Sequence, residues 1–142
     1  MMKRNATAQW RGDLKAGKGN ISTASGVLSK TPYGFQARFE EGPGTNPEEL
    51  LAAAHAGCFT MAVSAQLAGA GLTAESMETV CTITLEKQPD GFAITESHLD
   101  LKATIPGASQ QAFDTAVQAA KTGCPVSKLY KTNVTLTSKL NS

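Results

Sequence analysis

The 142-residue sequence has little excess charge, few aromatic residues and only three cysteines. Its 13 Lys and Arg residues balance 12 Asp and Glu residues, and no basic block marks a surface for binding nucleic acid. No polybasic run favours binding to a membrane surface, and the opening MMKRNATAQWRGD lacks the apolar stretch of a signal peptide. We therefore expect a cytoplasmic protein that binds neither nucleic acid nor membrane.

The three cysteines, Cys58, Cys81 and Cys124, are odd in number and lack the spacing of a disulfide scaffold. His55 and His98 are scattered among them without any paired C-x2-C or H-x3-H unit, so we expect no metal site. In a reducing compartment, paired cysteines usually serve chemistry rather than fold stability. Length and a 41% apolar content predict one domain over residues 1–142 with a buried core.

A 23-residue segment from Leu50 to Leu72 contains no charged side chain. This length would span a bilayer, but Ala and Gly add little to insertion and the polar side chains of His55, Ser64 and Gln66 oppose it. We interpret the segment as the buried centre of a soluble protein. A single domain cannot easily cover such a helix on all sides, so the sequence predicts that a second copy of the chain covers the rest.

The start of this helix has clear local signals. Asn46 can act as N-cap, Pro47 suits the first helical position, and Glu49 lies at the third position of a capping box. The helix is predicted from Pro47 to about Ala68. Glu48 lies nearly three turns from Cys58, so contact between them would need an intermediary such as an arginine, a kink or the partner subunit.

The remaining pattern predicts an α+β fold without βαβ repeats. Short strands are expected in the N-terminal third at residues 6–10, 19–23, 26–28 and 35–39, with a hairpin turn rather than a phosphate loop at GDLKAGKG. Further along come a strand at 80–87, a turn at 89–91, and a return strand that bulges near Glu96–Ser97. Ser109 should cap a helix that buries Phe113, Ala116, Val117 and Ala120; a short helix after Cys124 and a strand at 133–140 follow.

Several residues could carry chemistry, each with a structural alternative. Cys58 is either a small core hydrophobe or a nucleophile, and His55 could pair with it one turn earlier or simply be a satisfied core histidine. Cys81 is interpreted as core filler. Cys124 lies at a predicted helix N-terminus, which stabilises a thiolate. Arg38 is either an exposed strand residue or a cation that stabilises a thiolate and orients an oxygen substrate.

The segments GTNPEELLAAAHAGCFTMA (44–62) and GCPVSKLY (123–130) together resemble the OsmC/Ohr family of bacteria. These are the osmotically inducible and organic hydroperoxide resistance proteins. The resemblance extends over essentially the whole chain, and W-x-G-D (10–13) and YGFQARFE (33–40) are closer to the OsmC branch. It implies antiparallel sheets wrapped around a long central helix in an intertwined homodimer, with two active sites at the interface.

The resemblance also implies a function, a peroxiredoxin-like organic hydroperoxide reductase in oxidative and osmotic stress defence. Cys58 matches the peroxidatic cysteine and Cys124 the resolving cysteine. Glu48 matches the glutamate that pairs with a catalytic arginine, for which Arg38 is the OsmC-like candidate. No cofactor is implied other than an external dithiol reductant such as a lipoylated protein.

The chemistry agrees with the residues. A Cys58 thiolate would attack the O–O bond to give an alcohol and a sulfenic acid, which Cys124 converts to a disulfide. Apolar neighbours such as Phe59 and Met61 favour an alkyl peroxide over a small polar one. Two alternatives stay open at this point, a non-enzymatic thiol redox sensor and a dimer that binds a hydrophobic ligand.

Overall fold

The computed structural model describes residues 1–141. The strands are β1 (Ala6–Arg11), β2 (Lys18–Thr23), β3 (Thr31–Tyr33), β4 (Ser76–Gln88), β5 (Gly91–Thr104) and β6 (Asn133–Asn141). The helices are α1 (Phe35–Phe39), α2 (Pro47–Gly69), α3 (Gln110–Gly123) and α4 (Pro125–Leu129). This mixed content confirms the predicted α+β class. The chain divides into two compact units, residues 1–50 and residues 51–141 as far as described; the single-domain assignment stays a prediction.

The first unit is built on a three-stranded antiparallel sheet in the order β1-β2-β3. The predicted turn at GDLKAGKG joins β1 to β2, where Asp13 accepts backbone hydrogen bonds from Ala16 (2.6 Å) and Gly17 (2.9 Å). Gly19 lies between the rings of Trp10 and Tyr33, and a Cβ there would come within 2.6 Å of both. The sheet therefore needs glycine at this point.

Two of the four strands expected in this unit are not strands. Residues 26–28 belong to the turn between β2 and β3, where the Leu28 amide donates to the Thr23 hydroxyl and Gly26 has φ +80°. Residues 35–39 form the short helix α1. The run FQARF is compatible with the periodicity of a strand and with that of a helix. In the helix, the rings of Phe35 and Phe39 lie one turn apart and pack together with their centroids 5.0 Å apart.

Helix α2 begins and ends where the sequence predicts. The Asn46 side chain accepts the Glu49 amide hydrogen bond at 2.8 Å, which confirms the N-cap. The Glu49 carboxylate does not close the expected capping box, because it accepts a hydrogen bond from the Thr45 hydroxyl at 2.8 Å.

Within one chain, α2 is buried along one stripe rather than on most sides. His55, Phe59, Val63 and Leu67, spaced four residues apart, are at most 1% exposed, whereas Met61 is 76% exposed. A single chain therefore leaves much of α2 uncovered, as the sequence predicts, and its coverage by a second copy stays a prediction. By length and composition α2 could cross a membrane, with a mean hydropathy of 1.4. Its buried stripe instead makes it the core helix of a soluble fold.

The second unit contains the mixed sheet β4-β5-β6. Strands β4 and β5 form the predicted antiparallel hairpin, and Thr95 is the extra residue where the register shifts, one position before the predicted bulge. Strand β6 pairs with β5 in parallel. This corrects the expectation of purely antiparallel sheets: α3 and α4 form the long crossover that a parallel pair requires.

Helix α3 lies over the core as predicted. The Ser109 hydroxyl accepts the Ala112 amide hydrogen bond at 3.0 Å. The buried face is the predicted set of Phe113, Ala116, Val117 and Ala120. These side chains join the α2 stripe and the inner face of β5 in one apolar cluster that also includes Cys124.

Candidate functional site

The fold brings together the two cysteines that the sequence singles out. Cys58 lies midway along α2, and Cys124 is the N-cap of α4. The Cys58 thiol lies near the Cys124 thiol and the Val126 backbone, since both shift its pKa, and both cysteines pack into the same apolar cluster. All three cysteines of the chain are free thiols. The start of helix α4 thus places the Cys124 thiol and the Val126 amide beside the Cys58 thiol.

The electrostatics of Cys58 are set by its burial. Desolvation raises the pKa of the Cys58 thiol above its usual value, the Val126 amide lowers it, and Cys124 raises it through a hydrogen bond and its charge. The expectation that an apolar site raises the pKa of Cys58 is thus confirmed. A thiolate there needs further stabilisation at neutral pH.

Cys124 is 1% exposed and is held by one residue of its own helix. Its sulfur accepts a hydrogen bond from the Ser127 amide at 3.3 Å, and the Ser127 hydroxyl lies 3.1 Å from it. The predicted position of Cys124 at a helix N-terminus is confirmed. Ser127 was not singled out in the sequence, although it lies within the motif GCPVSKLY.

His55 is fully buried and bonded through both ring nitrogens. Nε2 lies 2.8 Å from the Ser127 hydroxyl, and Nδ1 lies 2.5 Å from the Ser97 hydroxyl. The Tyr130 ring packs edge-on against the imidazole with centroids 4.9 Å apart. Burial lowers the pKa of His55. The structure thus supports the satisfied core histidine, whose nearest link to the thiol pair is Ser127.

Cys81 lies on β4 and packs against the core, as predicted for core filler. Its sulfur lies 3.3 Å from the Ser97 hydroxyl and 4.0 Å from Nδ1 of His55. Burial raises the pKa of the Cys81 thiol, and the Ser97 hydrogen bond opposes that rise. The residue is therefore a neutral neighbour of the imidazole near pH 7.

Within the first unit, Arg38 and Glu48 form an ion pair. Nε and Nη2 of Arg38 donate to the same carboxylate oxygen, Oε1, at 3.1 and 3.0 Å. The Arg38 side chain is 40% exposed and that of Glu48 only 10%. The guanidinium also lies 5.1 Å from the Phe39 ring centroid. The predicted pairing is confirmed, although Arg38 projects from helix α1 and not from a strand.

The pair is asymmetric. Oε2 of Glu48 is buried and has no hydrogen-bond partner among residues 1–141. In the same part of the chain, no group of three or more His, Cys, Asp or Glu side chains is arranged to hold a metal ion.

Two free thiols lie near each other, and one of them caps a helix, an arrangement that suits thiol–disulfide chemistry. The family model for OsmC-like proteins matches residues 40–139. The chain belongs to this family, as its resemblance implies.

Individual relatives agree with this assignment. Peroxiredoxin OsmC of Escherichia coli is 50% identical over 135 residues, which is 95% of this chain and 94% of the relative. The organic hydroperoxide resistance protein of Xanthomonas axonopodis pv. citri is 32% identical over 97 residues, or 68% and 66% of the two chains. The crystal structure of an organic hydroperoxide resistance protein OsmC from Legionella pneumophila is 26% identical, has a TM-score of 0.69 and covers 97% of each chain.

Proposed function

We propose that this protein is a thiol-dependent peroxidase that reduces organic hydroperoxides to alcohols, and hydrogen peroxide less well. Relatives named Peroxiredoxin OsmC and organic hydroperoxide resistance protein support a peroxide-reducing role in stress defence. The single observation that carries the proposal is the proximity of the Cys58 and Cys124 thiols, which pack into one apolar cluster. A peroxidase that resolves its own sulfenic acid needs a second thiol in that position.

The proposed reaction has three steps. The Cys58 thiolate attacks one peroxide oxygen, so an S–O bond forms, the O–O bond breaks and the alkoxide leaves as an alcohol after taking a proton. The Cys124 sulfur then attacks the Cys58 sulfur, and the S–O bond breaks to release water. An external dithiol, such as a lipoylated protein, supplies two electrons and two protons to restore both thiols.

Arg38 and Glu48 are proposed to supply the stabilisation that burial denies to the Cys58 thiolate. Arg38 uses Nε and one N–H of Nη2 for Glu48, which leaves further N–H groups free to bind peroxide oxygens. Its 40% exposed side chain is open to such a ligand. Glu48 is proposed to fix the guanidinium orientation from the first turn of α2.

A homodimer is part of the proposal. The faces of α2 outside the buried stripe carry exposed small or apolar residues, namely Ala53, Ala54, Gly57, Met61, Ala65 and Ala68. A second copy of the chain would cover such a surface. The proposed setting is the cytoplasm, and the proposed enzyme needs no cofactor apart from the dithiol.

The test is multiple-turnover loss of cumene hydroperoxide in the presence of dihydrolipoamide. Wild type should turn over many equivalents, and Cys58→Ser should lose turnover. Cys81→Ser is the matched control, because it removes a half-buried thiol outside the pair. Unchanged peroxide loss in Cys58→Ser would remove the nucleophile from the proposal, and stoichiometric oxidation without turnover would favour a redox sensor.

A further inference from the structure

A continuous chain of hydrogen-bonding groups leads from the thiol pair into the protein core. It runs from Cys124 Sγ to the Ser127 hydroxyl (3.1 Å), from there to Nε2 of His55 (2.8 Å), and from Nδ1 to the Ser97 hydroxyl (2.5 Å). Cys124, His55 and Ser97 are at most 1% exposed and Ser127 is 9% exposed. The path therefore lies inside the protein, where bulk water has limited access.

One arrangement of hydrogens satisfies every member of the chain. The Cys124 thiol donates to Ser127 Oγ, the Ser127 hydroxyl donates to Nε2, and the imidazole donates from Nδ1 to Ser97 Oγ. Ser97 can then donate to the Cys81 sulfur. In this arrangement Nε2 is an acceptor, and a proton can pass from the Cys124 thiol to the imidazole through a single hydroxyl.

We propose that Ser127 and His55 form a proton relay for the step in which Cys124 closes the disulfide. Ser127 contacts the reacting thiol, and His55 is a positioning residue that acts through Ser127. The inference rests on the proposed function, because that step follows oxidation of Cys58. It adds a route by which the buried Cys124 thiol loses its proton, which solvent would otherwise have to accept directly.

The step balances as follows. As the Cys124 sulfur attacks Cys58, its proton moves to Ser127 Oγ while the Ser127 proton moves to Nε2. An S–S bond forms and the Cys58 S–O bond breaks. The hydroxide leaves as water after taking a proton from solvent, and His55 later returns one proton to solvent. The net reaction converts a sulfenic acid and a thiol to a disulfide and one water.

The surroundings of His55 keep the imidazole neutral, so Nε2 carries no proton in the arrangement described above and can act as an acceptor. Three titratable groups lie near it: Cys81 at 4.0 Å from Nδ1, Tyr130 against the ring, and Cys124 through Ser127. Burial raises the pKa of both Cys81 and Tyr130, so these groups carry no charge near pH 7. Burial also lowers the pKa of His55. Neither Cys81 nor Tyr130 therefore places a charge beside the ring that would hold a proton on it.

A single-turnover experiment tests the relay. One equivalent of cumene hydroperoxide is added to the reduced protein, and intact-mass analysis after quenching follows the sulfenic acid and the disulfide. At pH 6, Ser127→Ala and His55→Gln should each slow disulfide formation by at least about tenfold and let the sulfenic acid accumulate. The deficit should shrink as the pH rises, since solvent then removes thiol protons without help.

Matched controls separate the relay from damage to the fold. Thr60→Val removes a hydroxyl from α2 that bonds Ala56 and Thr79, and His98→Gln removes an imidazole that bonds two threonines. Both should keep the wild-type rate at every pH. A Ser127→Ala rate equal to wild type at pH 6, or a loss by the same factor at all pH values, would overturn the relay.

A peroxide-independent assay distinguishes failure of the relay from failure of the proposed function. In a Cys81→Ser background, Ellman's reagent converts Cys58 to a mixed disulfide, and attack by Cys124 releases a second thionitrobenzoate. This attack needs the same proton transfer, so Ser127→Ala should show the same pH-dependent deficit. If wild type fails to react with peroxide while Ser127→Ala still shows this deficit, only the peroxidase is refuted. If Ser127→Ala releases the second thionitrobenzoate at the wild-type rate at pH 6, the relay is refuted.

Discussion

The ion pair between Arg38 and Glu48 gives a sharp test of the proposed site, through the substitution Glu48→Gln. The change keeps the shape of the side chain and leaves a neutral oxygen for the guanidinium to bond. It removes the charge that strengthens two hydrogen bonds, at 3.1 and 3.0 Å. If Glu48 holds Arg38 in the orientation needed for peroxide, turnover should fall while the fold persists.

The size of the effect follows from the geometry. A charge-assisted hydrogen bond contributes roughly 1 kcal/mol more than a neutral one, so two such bonds differ by about 2 kcal/mol. Arg38 is 40% exposed, and solvent screening reduces this to about 1–2 kcal/mol. At 1.36 kcal/mol for each factor of ten, kcat/KM for cumene hydroperoxide should fall about 5- to 30-fold.

Glu49→Gln is the matched control. It removes the same charge from the same helical turn, but the Glu49 carboxylate bonds Thr45 and not Arg38. Both variants should unfold within about 1 kcal/mol of each other, because the effect on the helix dipole is shared. Wild-type activity in Glu48→Gln, or an equal loss in Glu49→Gln, would refute the reasoning.

Three further outcomes follow from the structure. If Arg38 is the cation that the proposed function requires, Arg38→Gln should move the titration of the Cys58 thiol to higher pH, because burial raises the pKa of that thiol. The titration is read from pH-dependent alkylation of the Cys58 peptide, and an unmoved titration would exclude Arg38 as the compensating cation. The folded protein should lose stability below about pH 6.5, by at most about 1.4 kcal/mol per pH unit, since the unfolded chain binds a proton at His55 that the buried ring, with its lowered pKa, resists. Urea midpoints at pH 7.5 and 5.5 check this, and His55→Gln should flatten the difference. Phe59→Ala should destabilise the protein by about 3–5 kcal/mol in chemical denaturation, because Phe59 is fully buried in the core; a loss below 1 kcal/mol would contradict that packing.

Elements with local signals were predictable from the sequence alone. Asn46 and Ser109 cap their helices as expected, because a cap depends on residues within one turn. The inner face of α3 and the bulge on β5 follow from residue periodicity, which reports the buried side of an element. The identity of the two candidate cysteines came from their motifs.

Elements that lack a cap or a clear periodicity differ from what the sequence predicts. The run FQARF is too short to separate period two from period 3.6, and the stacking of Phe35 on Phe39 goes with the helical form. Residues 26–28 form a turn because the Thr23 backbone and hydroxyl both bond Leu28. The parallel pairing of β6 depends on where the crossover returns, which no local pattern specifies.

By itself, the sequence determined the class of fold, the boundaries of α2 and α3, and the four residues proposed for catalysis, Cys58, Cys124, Arg38 and Glu48. Only the tertiary structure decided which of them lie together: it brought the two thiols near each other and paired Arg38 with Glu48. It also revealed the polar path through His55, whose partners Ser97 and Ser127 lie 42 and 72 residues away. Burial explains why these contacts form, since a buried imidazole or hydroxyl must find a partner wherever the packed chain offers one.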